Sequence, residues 1–294
     1  MIPLFGIAAQ QAAQLVDLVA GDEPLTVIDV AGGILFLVEH EPAAGGRDEL
    51  GGLRFHAPED RVDQVLAWLS EPAATRPHLV TLYFEEVDET SHRYGPGSPE
   101  SIDAIANVDR HIDRLVSGIG ALAVADEVTI MIVSDHGQSA YRRDAPVLVL
   151  EEVVDLGDFA VVDGGSYAFL FAEDATEERL VEVRDAINAA WRHGRAWLKR
   201  EAPADWHVTA GSHFPEIIVQ ADPGHGVIAS GDRDYIMTAG DHGWAPDFAE
   251  MHGIFIAAGP RLPAGRTIDA LRVVDVYPLM REVLNLPPVA TAGD

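Results

Sequence analysis

The sequence predicts an α/β fold with a doubly wound, mostly parallel central sheet. Strand-like apolar runs alternate along the chain with segments of helical period, which is the sequence form of this fold class. The run from Val128 to Val133 is almost entirely apolar, as expected for a parallel strand covered on both faces. Polar residues follow several of these runs, and ligands of such sheets gather at the carboxyl ends of the strands.

One domain over residues 1–294 is the simplest organisation that the sequence supports. The length allows one large α/β domain or two smaller ones, and 48% of the residues are hydrophobic, which is ample for a core. No internal repeat or low-complexity linker divides the chain. Cysteine is absent, which excludes disulfides, a thiolate nucleophile and Cys-ligated zinc.

The helices and strands are predicted from the spacing of apolar residues and from the residues that typically begin or end each element. Acids in the first turn favour a helix that starts at Glu59, and Ser98-Pro99 supplies an N-cap serine with proline at the first helical position. Runs rich in β-branched residues and without helical period predict strands. We therefore expect helices over 9–20, 59–70, from 99 for about five turns, 175–192 and 272–285, strands over 25–30, 79–84, 128–133, 146–150, 166–172, 216–220 and 253–258, and a surface loop over 40–56.

The charge of the chain excludes several classes of partner. A net charge of −28 with only 20 Lys plus Arg opposes binding to a nucleic-acid duplex and to anionic membrane surfaces. No apolar run approaches the roughly 18 residues of a membrane span. The first five residues lack the basic start and apolar core of a signal peptide, so we expect either a cytoplasmic protein or a true N-terminus upstream of Met1.

The stretch from Tyr83 to Pro96 carries the first candidate site residues. It follows the predicted strand over 79–84, and we expect it to be a polar loop that carries Asp88 and His92, four residues apart. Three intervening residues allow a carboxylate oxygen and an imidazole nitrogen to point at one ion.

Two later segments have the same design. Asp135 and His136 follow the apolar run that ends at Val133, and His242 lies between Gly240 and Gly243. Two aspartates and three histidines form a hard N/O ligand set that suits Zn²⁺, with Mn²⁺ or Fe as alternatives. Five ligands exceed the need of one catalytic zinc ion, so the sequence predicts a two-metal site.

The same segments resemble those of a known family. The run 83–96 is similar to the signature of the nucleotide pyrophosphatase/phosphodiesterase family, in the alkaline phosphatase superfamily. Residues 132–137 resemble the second metal loop of that family, residues 240–244 and 251–260 the third, and residues 274–279 its closing helix. The resemblance extends from about residue 57 to 286.

This resemblance implies a function and specific roles. It implies an alkaline-phosphatase-like α/β/α sandwich, and a hydrolase that uses two zinc ions to cleave small-molecule phosphate diesters or pyrophosphates of nucleotide type. Relatives are typically exported, which implies a periplasmic or extracellular location. Carried over to this chain, Asp88, His92 and His242 would hold one zinc ion, Asp135 and His136 would hold part of the other, and Tyr83 would lie beside the leaving group.

The departures from the family concern mainly the N-terminal side. Ser91, Gln138 and Trp244 replace residues usual in the family without removing a ligand. The first metal aspartate and the threonine nucleophile precede the first loop by a wide margin in relatives, and residues 3–11 resemble sequence that follows the nucleophile. Asp29 is the only local substitute for that aspartate.

The expectation is therefore a truncated phosphodiesterase that lacks its nucleophile and the N-terminal strand or strands of its sheet, with an incomplete second zinc site. A sheet that lacks a strand exposes an unpaired edge, so we expect poor stability. Two alternatives stay open. One is a single-zinc binding module without catalysis, and the other is a phosphomonoesterase or sulfatase-like hydrolase of the same superfamily.

Overall fold

The computed structural model describes residues 26–30, 33–37, 57–172, 174–208, 213–231, 238–260 and 262–291. The predicted helix over 9–20 and the predicted loop over 40–56 lie outside these ranges. The described residues form two compact units. The first contains those up to Val87, those within Ala104–Asp135 and those from Ile254 onward, and the second contains those within Asp88–Asp103 and His136–Gly253.

The described residues form five α-helices and twelve strands. The helices are α1 (Pro58–Leu69), α2 (Glu86–Tyr94), α3 (Pro99–Gly120), α4 (Glu177–Ala190) and α5 (Val276–Val283). The strands are β1 (Thr26–Val30), β2 (Gly33–Leu37), β3 (Ile130–Val133), β4 (Ser139–Ala140), β5 (Val147–Val149), β6 (Ala160–Asp163), β7 (Tyr167–Phe171), β8 (Gly194–Leu198), β9 (Ile217–Ala221), β10 (Gly226–Ile228), β11 (Gly240–Asp241) and β12 (Phe255–Ala258).

The predicted polar loop after residue 83 is in fact a helix, α2. Its polar composition suggested a loop, but no glycine or proline interrupts the run before Gly95. Gly95 ends the helix with a φ of 94°, and its N–H donates to the Ser91 carbonyl at 2.9 Å. A glycine in the left-handed region is a common helix terminator. The correction matters for function because it places Asp88 and His92 one helical turn apart.

The predicted strand over 79–84 is also wrong. Only Val80 of this stretch forms a β-bridge, and residues 81–85 have no regular structure. The Arg61 side chain supplies a reason, because its Nη1 donates to the Tyr83 carbonyl at 2.6 Å while the same guanidinium makes a bidentate ion pair with Glu85 at 2.7 and 2.8 Å. A side chain thus satisfies a carbonyl that a strand would have used in a ladder.

In the first unit, β3 pairs with β12 in antiparallel register, from Val133 opposite Phe255 to Ile130 opposite Ala258. The apolar run of β3 predicted a parallel partner covered on both faces. Apolar content reports burial and not strand direction, and here even the burial is incomplete, since Val133 is 41% exposed. In the segment that pairs with β3, Ile254 is 58% exposed and Ile256 is 56% exposed. This sheet therefore presents apolar side chains to solvent.

We expect Ile256→Thr to reduce binding of a hydrophobic dye and to slow aggregation, because it removes apolar surface from an exposed strand position and keeps a β-branched residue. The free energy of unfolding should change by no more than about 0.5 kcal/mol. Ile218→Thr in β9 is the matched control, because Ile218 is only 3% exposed and the change buries a hydroxyl. That control should cost about 1–3 kcal/mol. Chemical denaturation and dye fluorescence measure both, and an unchanged dye signal for Ile256→Thr would contradict the expectation.

The second unit contains a four-stranded antiparallel sheet in the order β6-β7-β9-β8. Helix α4 packs on one face of this sheet, where Val183 and Ile187 join the main hydrophobic core and are fully buried. The Asn188 side chain ties α4 to β8, since it both donates to the Ala196 carbonyl and accepts from the Ala196 N–H, at 2.9 and 2.8 Å.

Two small strand pairs complete the second unit. β5 and β10 form the one parallel pair among the described strands, and β4 pairs with β11 in antiparallel register. In this unit β4, β6, β8, β10 and β11 were not predicted, because short strands with Gly, Arg or Asp carry little apolar alternation. β2 of the first unit was not predicted either. No described helix combines the length and the apolar character that crossing a bilayer requires.

Candidate metal centre

Helix α2 supplies the first two side chains of the site. Asp88 and His92 occupy positions four residues apart on this helix, so both side chains lie on one face. His92 Nε2 lies 3.5 Å from Asp88 Oδ1. Because the last residue of α2 is Tyr94, the pair lies in the last two turns of the helix.

The segment that contains His242, residues 239–243, is held directly against the end of α2. The Ala239 N–H donates to the His92 carbonyl at 2.7 Å. A Cβ at Gly240 would lie 2.4 Å from Pro96 Cδ and 2.8 Å from the Ser91 carbonyl oxygen, so only glycine allows this approach. The close contact brings His242, two residues later, to the face of α2 that carries Asp88.

His136 and His242 come from segments that are far apart in sequence, and their rings stack with centroids 3.7 Å apart. The His92 and His242 rings are 5.0 Å apart, and His242 Nε2 lies 3.9 Å from Asp88 Oδ1. Hydrogen bonds to backbone carbonyls fix the two segments: the Gly137 N–H donates to the Met251 carbonyl, and the Ser166 hydroxyl donates to the His242 carbonyl.

Two groups of ligand atoms result, each with its members within 4.8 Å of one another. The first group is Asp88, His136 and His242, and the second is His92, Asp241 and His242. His242 belongs to both groups. The structure therefore brings together four of the five ligands that the sequence predicted, and it adds Asp241.

The tautomers of two histidines fit metal binding. His92 Nδ1 lies 2.9 Å from the Gly240 carbonyl, and His136 Nδ1 lies 3.0 Å from the Gly137 carbonyl. A carbonyl can only accept, so each neutral ring carries its proton on Nδ1 and presents the Nε2 lone pair. Metal-ligating histidines commonly have this arrangement. The donor set of carboxylates and neutral imidazoles thus fits a divalent transition metal.

Burial lowers the pKa of His242 to about 4, and the nearby His136 and His92 add to this effect while Asp88 opposes it. His242 is therefore neutral at pH 7 and needs to release no proton when it binds a metal ion. Burial raises the pKa of Asp241, against the opposing effect of the hydrogen bonds that it accepts from the His242 N–H and from Tyr141.

Sequence reasoning missed three polar residues at this centre. Asp241 is part of the second ligand group, and the hydroxyl of Tyr141 donates to its Oδ2 at 2.8 Å. Gln138 Nε2 donates to Asp88 Oδ1 and so restrains that carboxylate. One sequence signal could have identified Asp241, because an acidic residue directly beside a candidate metal ligand is itself a candidate for the site.

Asp135 and Tyr83 belong to the first unit, whereas the centre described above lies in the second. The Tyr83 backbone is held by the Arg61 guanidinium. The predicted roles of Asp135 as a ligand of a second ion and of Tyr83 beside a leaving group stay predictions. Asp29 lies within β1, opposite Ile34 of β2.

The chain is similar to known proteins over most of its length. Residues 47–245 match the family described as type I phosphodiesterase / nucleotide pyrophosphatase. Human ectonucleotide pyrophosphatase/phosphodiesterase family member 5 is 27% identical over 235 residues, which are 80% of this chain and 48% of that protein. The Bos taurus bis(5'-adenosyl)-triphosphatase is 28% identical over 237 residues, which are 80% of this chain and 50% of that protein. The chain spans about half the length of these curated relatives.

A solved structure supports the fold. The murine member 5, in an inactive variant in complex with AMP, superposes with a TM-score of 0.72 at 28% identity, covering 83% of this chain and 64% of that one. Its alkaline-phosphatase-like fold confirms the α/β fold class that the sequence predicted.

Proposed function

Because the chain belongs to the type I phosphodiesterase / nucleotide pyrophosphatase family, we propose that it is a hydrolase. In this proposal the enzyme depends on zinc and cleaves small phosphate diesters or pyrophosphates of nucleotide type. The observation that carries the proposal is the meeting of Asp88, His92, His136 and His242 from three distant segments. The names of two relatives support the substrate class, since one is a bis(5'-adenosyl)-triphosphatase and another has been solved in complex with AMP.

The roles of the ligands are those that the resemblance to the family implies. Asp88, His92 and His242 would hold one ion, and His136 would hold part of a second together with Asp135. A bound divalent zinc ion supplies Lewis acidity and positive charge toward a phosphate oxygen. That charge is valuable in a chain with a net charge of −28.

The chain's own residues set up this chemistry before any ion arrives. The carbonyls of Gly240 and Gly137 fix the tautomers of His92 and His136. The low pKa of His242 keeps that ring neutral, and Gln138 restrains the Asp88 carboxylate. Tyr83 would lie beside the organic group of the substrate. None of the described residues is assigned as the nucleophile.

Hydrolysis of a p-nitrophenyl phosphodiester by the zinc-loaded chain tests this proposal. Turnover that a chelator abolishes would support the hydrolase proposal and overturn the expectation that the chain lacks its nucleophile. Asp88→Asn should then lower that turnover by at least about 100-fold, because the change removes a charged ligand and keeps the shape of the side chain. His213→Ala is a suitable control, since this histidine is exposed and lies outside both ligand groups. A folded, zinc-loaded chain without turnover would contradict the hydrolase proposal.

A second candidate is a binding module with a single metal ion and no turnover. The observation that favours it is the sharing of His242 between the two ligand groups, because one imidazole nitrogen binds one ion. Elemental analysis discriminates the two candidates. Two zinc ions per chain agree with the hydrolase, and one ion without turnover agrees with the binding module.

We also propose an extracytoplasmic location, by analogy with relatives whose names mark them as ecto-enzymes. Fractionation of cells that express the chain from its natural gene tests this location. Recovery of the protein in the cytoplasmic fraction would contradict it.

A further inference from the structure

The hydroxyl of Tyr141, at the end of β4, points toward the segment that contains His242. Tyr141 directly follows β4, and its N–H donates to the Ala239 carbonyl at 3.1 Å, which continues the β4–β11 pairing. In that register Tyr141 is the diagonal neighbour of Asp241, on the same face of the two-stranded ladder. Its hydroxyl donates to Asp241 Oδ2 at 2.8 Å.

The surroundings leave this hydroxyl little freedom. A Cβ at Gly165 would lie 2.5 Å from the Tyr141 hydroxyl oxygen and 3.2 Å from Asp241 Oδ2, so a glycine is needed beside the hydrogen bond. The Tyr141 ring packs edge-on against Trp244, whose side chain is 4% exposed, with centroids 5.2 Å apart. The ring is therefore clamped independently of the hydroxyl.

Asp241 passes this restraint on to two histidines. Its Oδ1 accepts from the His242 N–H at 2.9 Å, and the same oxygen lies 3.7 Å from His92 Nδ1. The carboxylate has one oxygen held by Tyr141 and the other facing the backbone of one ligand and the ring of another. Its orientation therefore affects the placement of both imidazoles.

We propose that Tyr141 is a positioning residue of the metal centre, which acts through Asp241 to fix the His242 segment and the His92 ring. The inference rests on the proposed function for its metal-binding consequence. The hydrogen bond joins two side chains of the protein and has no ion as a partner, so the positioning of the segment can be tested separately.

The first test is amide hydrogen exchange of His242 in the metal-free protein. Tyr141→Phe keeps the ring on Trp244 and removes only the hydroxyl, so Asp241 is free to turn and the His242 N–H should exchange about tenfold faster. Tyr167→Phe is the matched control, because Tyr167 is a partly buried tyrosine near Asp241 whose hydroxyl makes no hydrogen bond to Asp241 in the described ranges. An unchanged exchange rate in Tyr141→Phe would overturn the proposal.

The second test is zinc affinity, measured by competition with a chromophoric chelator, together with the visible spectrum of the Co²⁺-loaded protein. Loss of an outer-shell partner of this kind costs about 10- to 100-fold in metal affinity, and we expect a loss in this range for Tyr141→Phe with a shifted Co²⁺ spectrum. Tyr167→Phe should stay within about twofold of the wild type.

A double-mutant cycle with Asp241→Ala identifies the route of the effect. If Tyr141 acts through Asp241, Tyr141→Phe causes no further loss of affinity in the Asp241→Ala background. Independent, additive losses would overturn the proposal, and so would faster exchange with an unchanged zinc affinity, because the hydroxyl would then be merely structural. If the wild type binds no zinc, the proposed function fails, and the exchange measurement alone decides whether Tyr141 positions the segment.

Discussion

His242→Ala should abolish high-affinity metal binding, with an affinity loss of at least about 100-fold, because second-sphere changes alone reach about that size. His242 belongs to both groups of ligand atoms, so its removal leaves each group with two members. Removal of His92 or His136 leaves one group intact, and we expect a smaller loss for either. Competition with a chromophoric chelator measures all three variants.

His213→Ala controls for the general effect of losing a histidine, since it lies at an exposed position outside the centre. The His242→Ala protein should keep its far-UV circular dichroism, because the ring is a partly exposed side chain and not a core residue. Equal losses in the His92, His136 and His242 variants would show that the two ligand groups do not share His242 in solution.

The metal-free protein should lose stability as the pH falls from about 6.5 to about 4, and His242 is the main cause that the structure identifies. The pKa of this residue is about 4 in the folded protein, against a usual value of 6.5, because burial and two neighbouring histidines oppose its charge. The unfolded chain therefore binds a proton at a higher pH than the folded chain does. The stability is fully present above pH 6.5 and is lost as the pH approaches 4, with a total of about 3 kcal/mol.

His242→Gln separates this effect from other titrations, because glutamine stays neutral over the whole range. Denaturant unfolding at pH 7, 5.5 and 4 should show a smaller decrease for the variant than for the wild type. Asp241 acts in the opposite direction, because its pKa is raised in the folded state and its protonation therefore favours folding. Both proteins contain Asp241, so the comparison of the variant with the wild type removes its contribution. Parallel stability curves for the two proteins would contradict the assignment.

Much of the helical structure could be predicted from local signals. Proline at the first helical position predicted the start of α3 at Pro99, and acids in the first turn predicted the start of α1 to within one residue. The bounds of α4 differ from the prediction by two residues at each end. These signals act within one or two turns, so they need no knowledge of the rest of the chain. The same local reasoning failed for α2, where polar composition was mistaken for a loop.

Strand pairing could not be predicted in the same way. The run that forms β3 is apolar enough for a buried parallel strand, yet its described partner is the antiparallel β12. Direction and register depend on how the chain returns, over more than a hundred residues in this case. Short polar strands such as β4 and β11 carry almost no apolar signal, although their pairing places Tyr141 beside Asp241.

The sequence by itself determined the ligand types of the candidate site and its family, because Asp88, His92, His136 and His242 occur in recognisable local patterns. Only the tertiary structure decided which ligand atoms meet, that His242 is common to both groups, and that Asp241 joins them with Tyr141 behind it. The physical reason is that ligand chemistry resides in single side chains. Ligand geometry depends instead on contacts between distant segments, such as the approach of Gly240 to the end of α2, which no local pattern encodes.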